Sequence, residues 1–152
     1  MKKLFAIVLT FALLASLSVT AFAANTTGGD ADITTSIDPT YTVTIPADVN
    51  VAFNATETAF GTVEVTASQI HPDKCIKVAL ATDKELNNAI DNTKVIPYAI
   101  KDSEDAEFTS ATYLTEGDKT ELSIHITAND WNAAYAGEYS DTVTFTVSYE
   151  DK

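Results

Sequence analysis

The stretch Thr142-Val143-Thr144-Phe145-Thr146-Val147-Ser148-Tyr149-Glu150 alternates without a break between hydroxyl or charged side chains and large apolar ones. Successive side chains of a β-strand point to opposite faces, so Val143, Phe145, Val147 and Tyr149 line one face and the hydroxyls the other. A helix would scatter the same residues around its circumference. The pattern is that of a strand with one buried and one solvated side, as antiparallel sheets use.

The same period runs back through the chain. Tyr41, Val43 and Ile45 alternate with Thr42 and Thr44 until Pro46 stops the run, and Val49, Val51 and Phe53 follow. Val63 and Val65 lie between Thr62, Glu64 and Thr66, and Ile76, Val78 and Leu80 alternate with Lys77 and Ala79. Ile96, Tyr98 and Ile100 form another set, with Pro97 on the opposite face, as at an edge strand or a strand start. Leu122, Ile124 and Ile126 alternate with Glu121, Ser123, His125 and Thr127, and a weaker run spans Glu107 to Leu114. The runs predict an all-β domain over residues 39–152, an Ig-like antiparallel β-sandwich of seven or eight strands. Helix is expected only as a turn or two over Asp83–Ile90 and over Ala128–Tyr135, the latter capped by Asn129 or Asp130.

The chain opens on a different chemistry. Lys2 and Lys3 precede an apolar run from Leu4 to Leu14, and Ala21-Phe22-Ala23 places small residues where a signal peptidase reads. Residues 1–23 are thus predicted to be a cleaved signal peptide, since the apolar run is short of the roughly 20 residues needed to span a bilayer. Residues 24–38, small, polar and ending at Asp38-Pro39, read as a flexible lead-in. Neither a lipid-bearing cysteine nor a hydrophobic tail is seen, so the expected product is secreted, extracellular or at the cell surface, and non-covalently held if surface-bound.

Removing 23 of 152 residues leaves 129, with seven lysines, no arginine and 22 acidic residues, a net charge of −15. Such a chain repels phosphate backbones and anionic headgroups, which argues against nucleic acid and against membrane insertion of the processed chain. One cysteine, Cys75, excludes an internal disulfide, so the hydrophobic core must hold the domain. Cys75 is expected on the polar side of its strand, as a packed small residue or a free thiol.

Catalytic and cofactor signatures are not apparent. His71 precedes Pro72 in a loop and His125 lies on a polar strand face, with no ligand at metal-site spacing. The run Asp102, Glu104, Asp105, Glu107 offers oxygen ligands for calcium without the glycine and spacing of an EF-hand, so a solvated loop is expected. A carboxylate pair at glycosidase separation, roughly 5 or 6.5–9.5 Å, is the one route to a small secreted hydrolase. Asn25-Thr26-Thr27 and Asn54-Ala55-Thr56 match the glycosylation sequon, as a threonine-rich chain does by chance. Trp131 and Tyr135 form the one aromatic pair that suits a sugar platform; otherwise both plug an end of the sandwich beside Tyr139.

Ahead of the final strand, Ala136-Gly137-Glu138-Tyr139-Ser140-Asp141-Thr142 places a glycine for the turn and a tyrosine at the strand entry. This resembles a tyrosine corner, in which the hydroxyl bonds a nearby backbone group and the ring covers the core; Gly137 and Tyr139 are its structural residues. With Tyr41-Thr42-Val43-Thr44-Ile45-Pro46, it resembles bacterial secreted Ig-like domains of fimbrial, spore-coat and adhesin type. That resemblance implies a scaffold or adhesion role with a protein or glycan partner, and no catalytic residues. The chain departs from pilus subunits that carry a disulfide, and Ile33 and Ile37 are meagre apolar material for a strand donated to a neighbour. The expected function is therefore a non-enzymatic structural or interaction domain, adhesin-like or a surface-assembly subunit, with a carbohydrate-binding module as the alternative.

Overall fold

The computed structural model describes Asp30 and residues 32–152, and in it most of the alternating runs become strands of three antiparallel sheets. In chain order the elements are β1 (Thr40–Thr44), β2 (Glu57–Gln69), β3 (Lys74–Ala81), β4 (Glu85–Asn88), β5 (Val95–Pro97), β6 (Ala99–Lys101), β7 (Ser110–Tyr113), β8 (Lys119–His125), α1 (Ala128–Ala133), β9 (Tyr139–Ser140) and β10 (Thr144–Asp151). The first sheet has the order β1-β2-β8-β6, the second β10-β3-β7, and the third, of short strands, β5-β4-β9. The expected leader, residues 1–23, lies outside the described residues. Among the described residues no helix is long and apolar enough to cross a membrane.

All three sheets feed one apolar cluster. Val63 and Val65 of β2 and Ile76 and Val78 of β3 are 0% exposed, and Val43, Ile96, Ile100, Tyr113, Leu122 and Ile124 join them. The first and second sheets therefore turn their apolar faces toward a common interior. Each buried aliphatic side chain contributes roughly 1.5–3 kcal/mol relative to exposure, which offsets the entropy of ordering the strands. Rings bridge the sheets beside β1 and β10: Tyr41 stacks on Tyr149 at 5.8 Å, and Phe60 meets Phe145 at 6.0 Å. The Tyr113 hydroxyl donates to Thr120 Oγ1 at 2.9 Å, tying β7 to β8 across the interior.

Three local readings are corrected. Val49–Phe53 forms no strand; Asn54 takes a left-handed φ of 64°, and Phe53 turns out to meet Trp131 edge-on at 5.6 Å. Asp83–Ile90 is not helical, because Lys84 has φ 61° and the hydroxyl of Thr82 and carboxylate of Asp83 take the amides of Lys84 and Glu85. Those side-chain bonds compete with the helix ladder and set up β4 instead. Of the two alternatives for Cys75, the structure has the packed residue: it is 4% exposed, its Sγ against the carbonyls of Glu150 and Asp151. The helix at 128 forms but ends at Ala133, and its cap is Thr127, whose Oγ1 accepts from the Asp130 amide.

The Ile96-Tyr98-Ile100 run is a strand that changes sheets. β5 pairs with β4 and β6 with β8, while the intervening Tyr98 amide donates to the Lys84 carbonyl at 2.9 Å. Pro97 has no amide hydrogen for a ladder, so the break falls where pairing is weakest. All three apolar side chains still point inward, at 1%, 7% and 1% exposure. At the bulge between Ala59 and Gly61, the glycine has φ 139° and a Cβ there would lie 3.1 Å from Pro46.

Ile100→Ala is expected to lower unfolding free energy by about 2–5 kcal/mol, whereas Thr146→Ala on the exposed face changes it by less than about 1 kcal/mol. Urea denaturation of both variants checks the assignment of the two faces.

Candidate functional site

Between β8 and β10 the chain makes the corner that carries most of the residues singled out above. Gly137 has φ 150°, and a Cβ there would lie 2.5 Å from Nδ2 of Asn88. Asn88, 7% exposed, is the buried polar residue beneath it, and its Oδ1 accepts from the amides of Ile90 and Asp91. Glycine is thus required twice over, by backbone angle and by the approach of Asn88. Tyr139 follows, half-buried against the core, and its hydroxyl donates to the Tyr135 carbonyl at 3.0 Å. That is the local bond a tyrosine corner makes.

A second clamp holds the same corner. The hydroxyls of Tyr98 and Thr82 both reach Oδ2 of Asp141, Thr82 at 2.8 Å, and they lie 2.8 Å from each other. Asp141 in turn accepts from the Thr142 amide at 2.6 Å. Burial first, and then the bond to Asp141, push the Tyr98 hydroxyl well above the ordinary phenol range. These residues lie 16, 43 and 59 positions apart, so no spacing in the sequence reveals them.

Trp131 and Tyr135 are not displayed alike. Trp131 is half-buried against the core, and its Nε1 donates to the Ala55 carbonyl at 2.8 Å. Tyr135 is 63% exposed, with the Lys94 ammonium 4.9 Å from its ring centre, a cation–π contact. Two exposed apolar side chains that the sequence reading did not select are Phe53, at 77%, and Ile90, at 91%. Ile90 sits in the β4–β5 turn that also carries Lys94.

The acidic run does not converge. Asp102 Oδ1 accepts the amides of Glu104 and Ala106, Asp105 pairs with Lys101 at 2.7 Å, and Glu107 pairs with Lys84. The carboxylates close a turn and face lysines of their own chain. His71 pairs with Asp73 in the exposed turn ahead of β3. His125 lies elsewhere, its Nε2 2.9 Å from Ser123 Oγ, in an open groove of roughly 510 Å³ that also bears Glu57, Asp102 and Glu121. Among the described residues no group of three or more His, Cys, Asp or Glu side chains is placed to hold a metal.

The remaining feature is a strand edge. β10 pairs in regular register with β3 from Thr144 to Asp151 and, among the described residues, has no partner on its other side. Every second residue of such a strand directs its N–H and C=O away from its one neighbour. No family model matches the chain, and no curated protein sequence matches it either.

Two outcomes test this corner. Gly137→Ala is expected to cost about 1–3 kcal/mol, more than an exposed substitution costs, by urea denaturation. For Tyr98 the folded pKa is raised, so its stabilisation is fully present below the unfolded phenol value of about 10 and declines as pH rises from there. The stability gap between the wild type and Tyr98→Phe should therefore narrow above about pH 10, read from denaturation curves across alkaline pH.

Proposed function

We propose that this chain is an exported, non-enzymatic Ig-like β-sandwich that works by contact, as an adhesin-like or surface-assembly subunit held non-covalently outside the cell. The observation that carries the reading is the free edge of β10. Sheet edges are templates for pairing, and folded proteins blunt them with short strands, bulges, proline or charge. Here β5, β6, β7 and β9 have two to four residues, and β1 has a register shift and lies between Pro39 and Pro46. β10 alone runs for eight regular residues, with no charge, glycine or proline from Thr142 to Tyr149.

The strand order supports the Ig-like assignment. β1-β2-β8-β6 follows the A-B-E-D order of an Ig constant-type sheet, and β3 beside β10 then stands for strands C and F. Tyr139 falls in the E–F connection, where a tyrosine corner belongs. The leader pattern of residues 1–23 and the absence of arginine in an acidic chain suit an extracellular product.

A carbohydrate-binding reading keeps one specific support, the exposed ring of Tyr135 beside Lys94. It places the platform on Tyr135 rather than on the pair, because Trp131 is tied to Ala55.

The processed chain is expected to associate with itself or with isolated cell envelopes, by sedimentation velocity and envelope pull-down. A chain that stays monomeric at every concentration and leaves envelopes bare overturns the assembly reading. Binding on a glycan array that disappears in Tyr135→Ala would favour the carbohydrate reading instead.

A further inference from the structure

We propose that two copies of this chain pair along the free edges of their β10 strands, antiparallel about Val147, so that the second sheet continues across a two-fold axis as β7-β3-β10-β10-β3-β7. The inference rests on the assembly reading and names its partner, a second copy in a closed dimer.

The ladder on β3 decides which backbone groups are available. The Lys152 amide donates to the Asp73 carbonyl at 3.0 Å, one step beyond the Asp151–Lys74 pair and in the same register. Bonded and unbonded positions alternate along an antiparallel pair, so Thr144, Thr146, Ser148 and Glu150 direct their bonds to β3. Phe145, Val147, Tyr149 and Asp151 then direct theirs outward. The far side of β3 agrees: Leu80, opposite Phe145, donates its amide to Thr109, away from β10. Among the described residues no strand takes up the outward groups.

The edge is complementary to itself. Side chains that meet across a sheet share a face, so a two-fold pairing must centre on a residue. With the centre at Val147, Phe145 lies opposite the second copy's Tyr149, and Val147 opposite its own counterpart. These are the residues with outward backbone groups, so each pair exchanges both of its N–H···O bonds. On the other face Thr146 meets the second copy's Ser148, and Thr144 meets Glu150. Aromatic and hydroxyl pairs are favourable cross-strand neighbours, and no two carboxylates are opposed. A centre at Thr146 would bring Asp141 toward Asp151, and one at Ser148 would set Asp151 against Phe145.

Packing and charge favour the same contact. Phe145, Val147 and Tyr149 are only half-buried, although they lie on the inward face of β10. The second copy's Tyr149 arrives beside Phe145 and extends the row of rings begun by Phe60–Phe145 and Tyr41–Tyr149. The acids at the end of the strand, Glu150 and Asp151, are paired with Lys77 at 3.4 Å and Lys74 at 2.5 Å. The edge is therefore neutral along its length, in a processed chain of net charge −15 whose copies repel elsewhere. Both copies use the same surface, so the contact is isologous and stops at two. Salt screens the remaining repulsion and should strengthen it.

The test joins sedimentation velocity of the full processed chain, against protein and salt concentration, to disulfide trapping. The wild type should pass from monomer to dimer. Thr146 and the second copy's Ser148 form an unbonded pair with Cα atoms about 4.5 Å apart, close enough for a disulfide. An equimolar mixture of Thr146→Cys and Ser148→Cys should therefore cross-link on mild oxidation, and neither variant alone should do so. Cys75, 4% exposed, stays out of the reaction. Thr146→Asp/Ser148→Asp opposes two pairs of carboxylates and should lower the association constant by about tenfold or more, with the circular dichroism spectrum unchanged. Thr146→Asn/Ser148→Asn should dimerise like the wild type. Cross-links that form in either cysteine variant alone as readily as in the mixture overturn this pairing, as does an Asp double variant that associates like the wild type; the assembly reading survives both. A wild type that is monomeric throughout but coats envelopes overturns the dimer and leaves the adhesive reading, whereas one that is monomeric and leaves envelopes bare removes both.

Discussion

The apolar interior shared by the first two sheets is the constraint on which the molecule depends. Val63 and Val65 from one sheet and Ile76 and Val78 from the other are wholly enclosed, and they belong to strands near the middle of each sheet. Cys75 is the single cysteine, so no covalent staple shares the task. Disulfides usually stabilise small exported domains through the entropy of the unfolded chain. Here the same role falls to burial and to polar clamps that tie distant segments together.

The clamps are concentrated at the corner between β8 and β10. Asn88 beneath Gly137, Tyr139 bonded to Tyr135, and Tyr98 with Thr82 on Asp141 bind four separate parts of the chain at one end. Their effect is to deliver β10 in register onto β3. The final strand is held on one side by a ladder without register shifts and at its start by the corner. A regular edge, uncharged from Thr142 to Tyr149, is the form other chains can pair with, and it is the form that most folded proteins avoid.

Surface chemistry separates the possible roles by geometry rather than by composition. The acidic residues near β6 look like a cation site in one dimension, but in three they cap their own turn and face Lys101 and Lys84. Trp131 and Tyr135 look like a pair, but the indole is hydrogen-bonded to Ala55 while the phenol is displayed. The charge of the chain acts at longer range. It keeps copies apart at low salt, and so places any self-association under the control of ionic strength.

Much of the fold was legible in the linear chain. The period of two marked β1, β3, β8 and β10 and identified which side chains enter the core, because alternation is a property of the backbone alone. Even the divided run of Ile96, Tyr98 and Ile100 kept its inward face, although the switch between β5 and β6 was not foreseen. Partnership was beyond the sequence. Which strand pairs with which, that Asp83–Ile90 yields β4, that Val49–Phe53 yields none, and that Cys75 is covered depend on contacts between residues far apart in the chain. The free side of β10 is the clearest case: its residues read as an ordinary amphipathic strand, and only the sheet order leaves that side without a neighbour among the described residues.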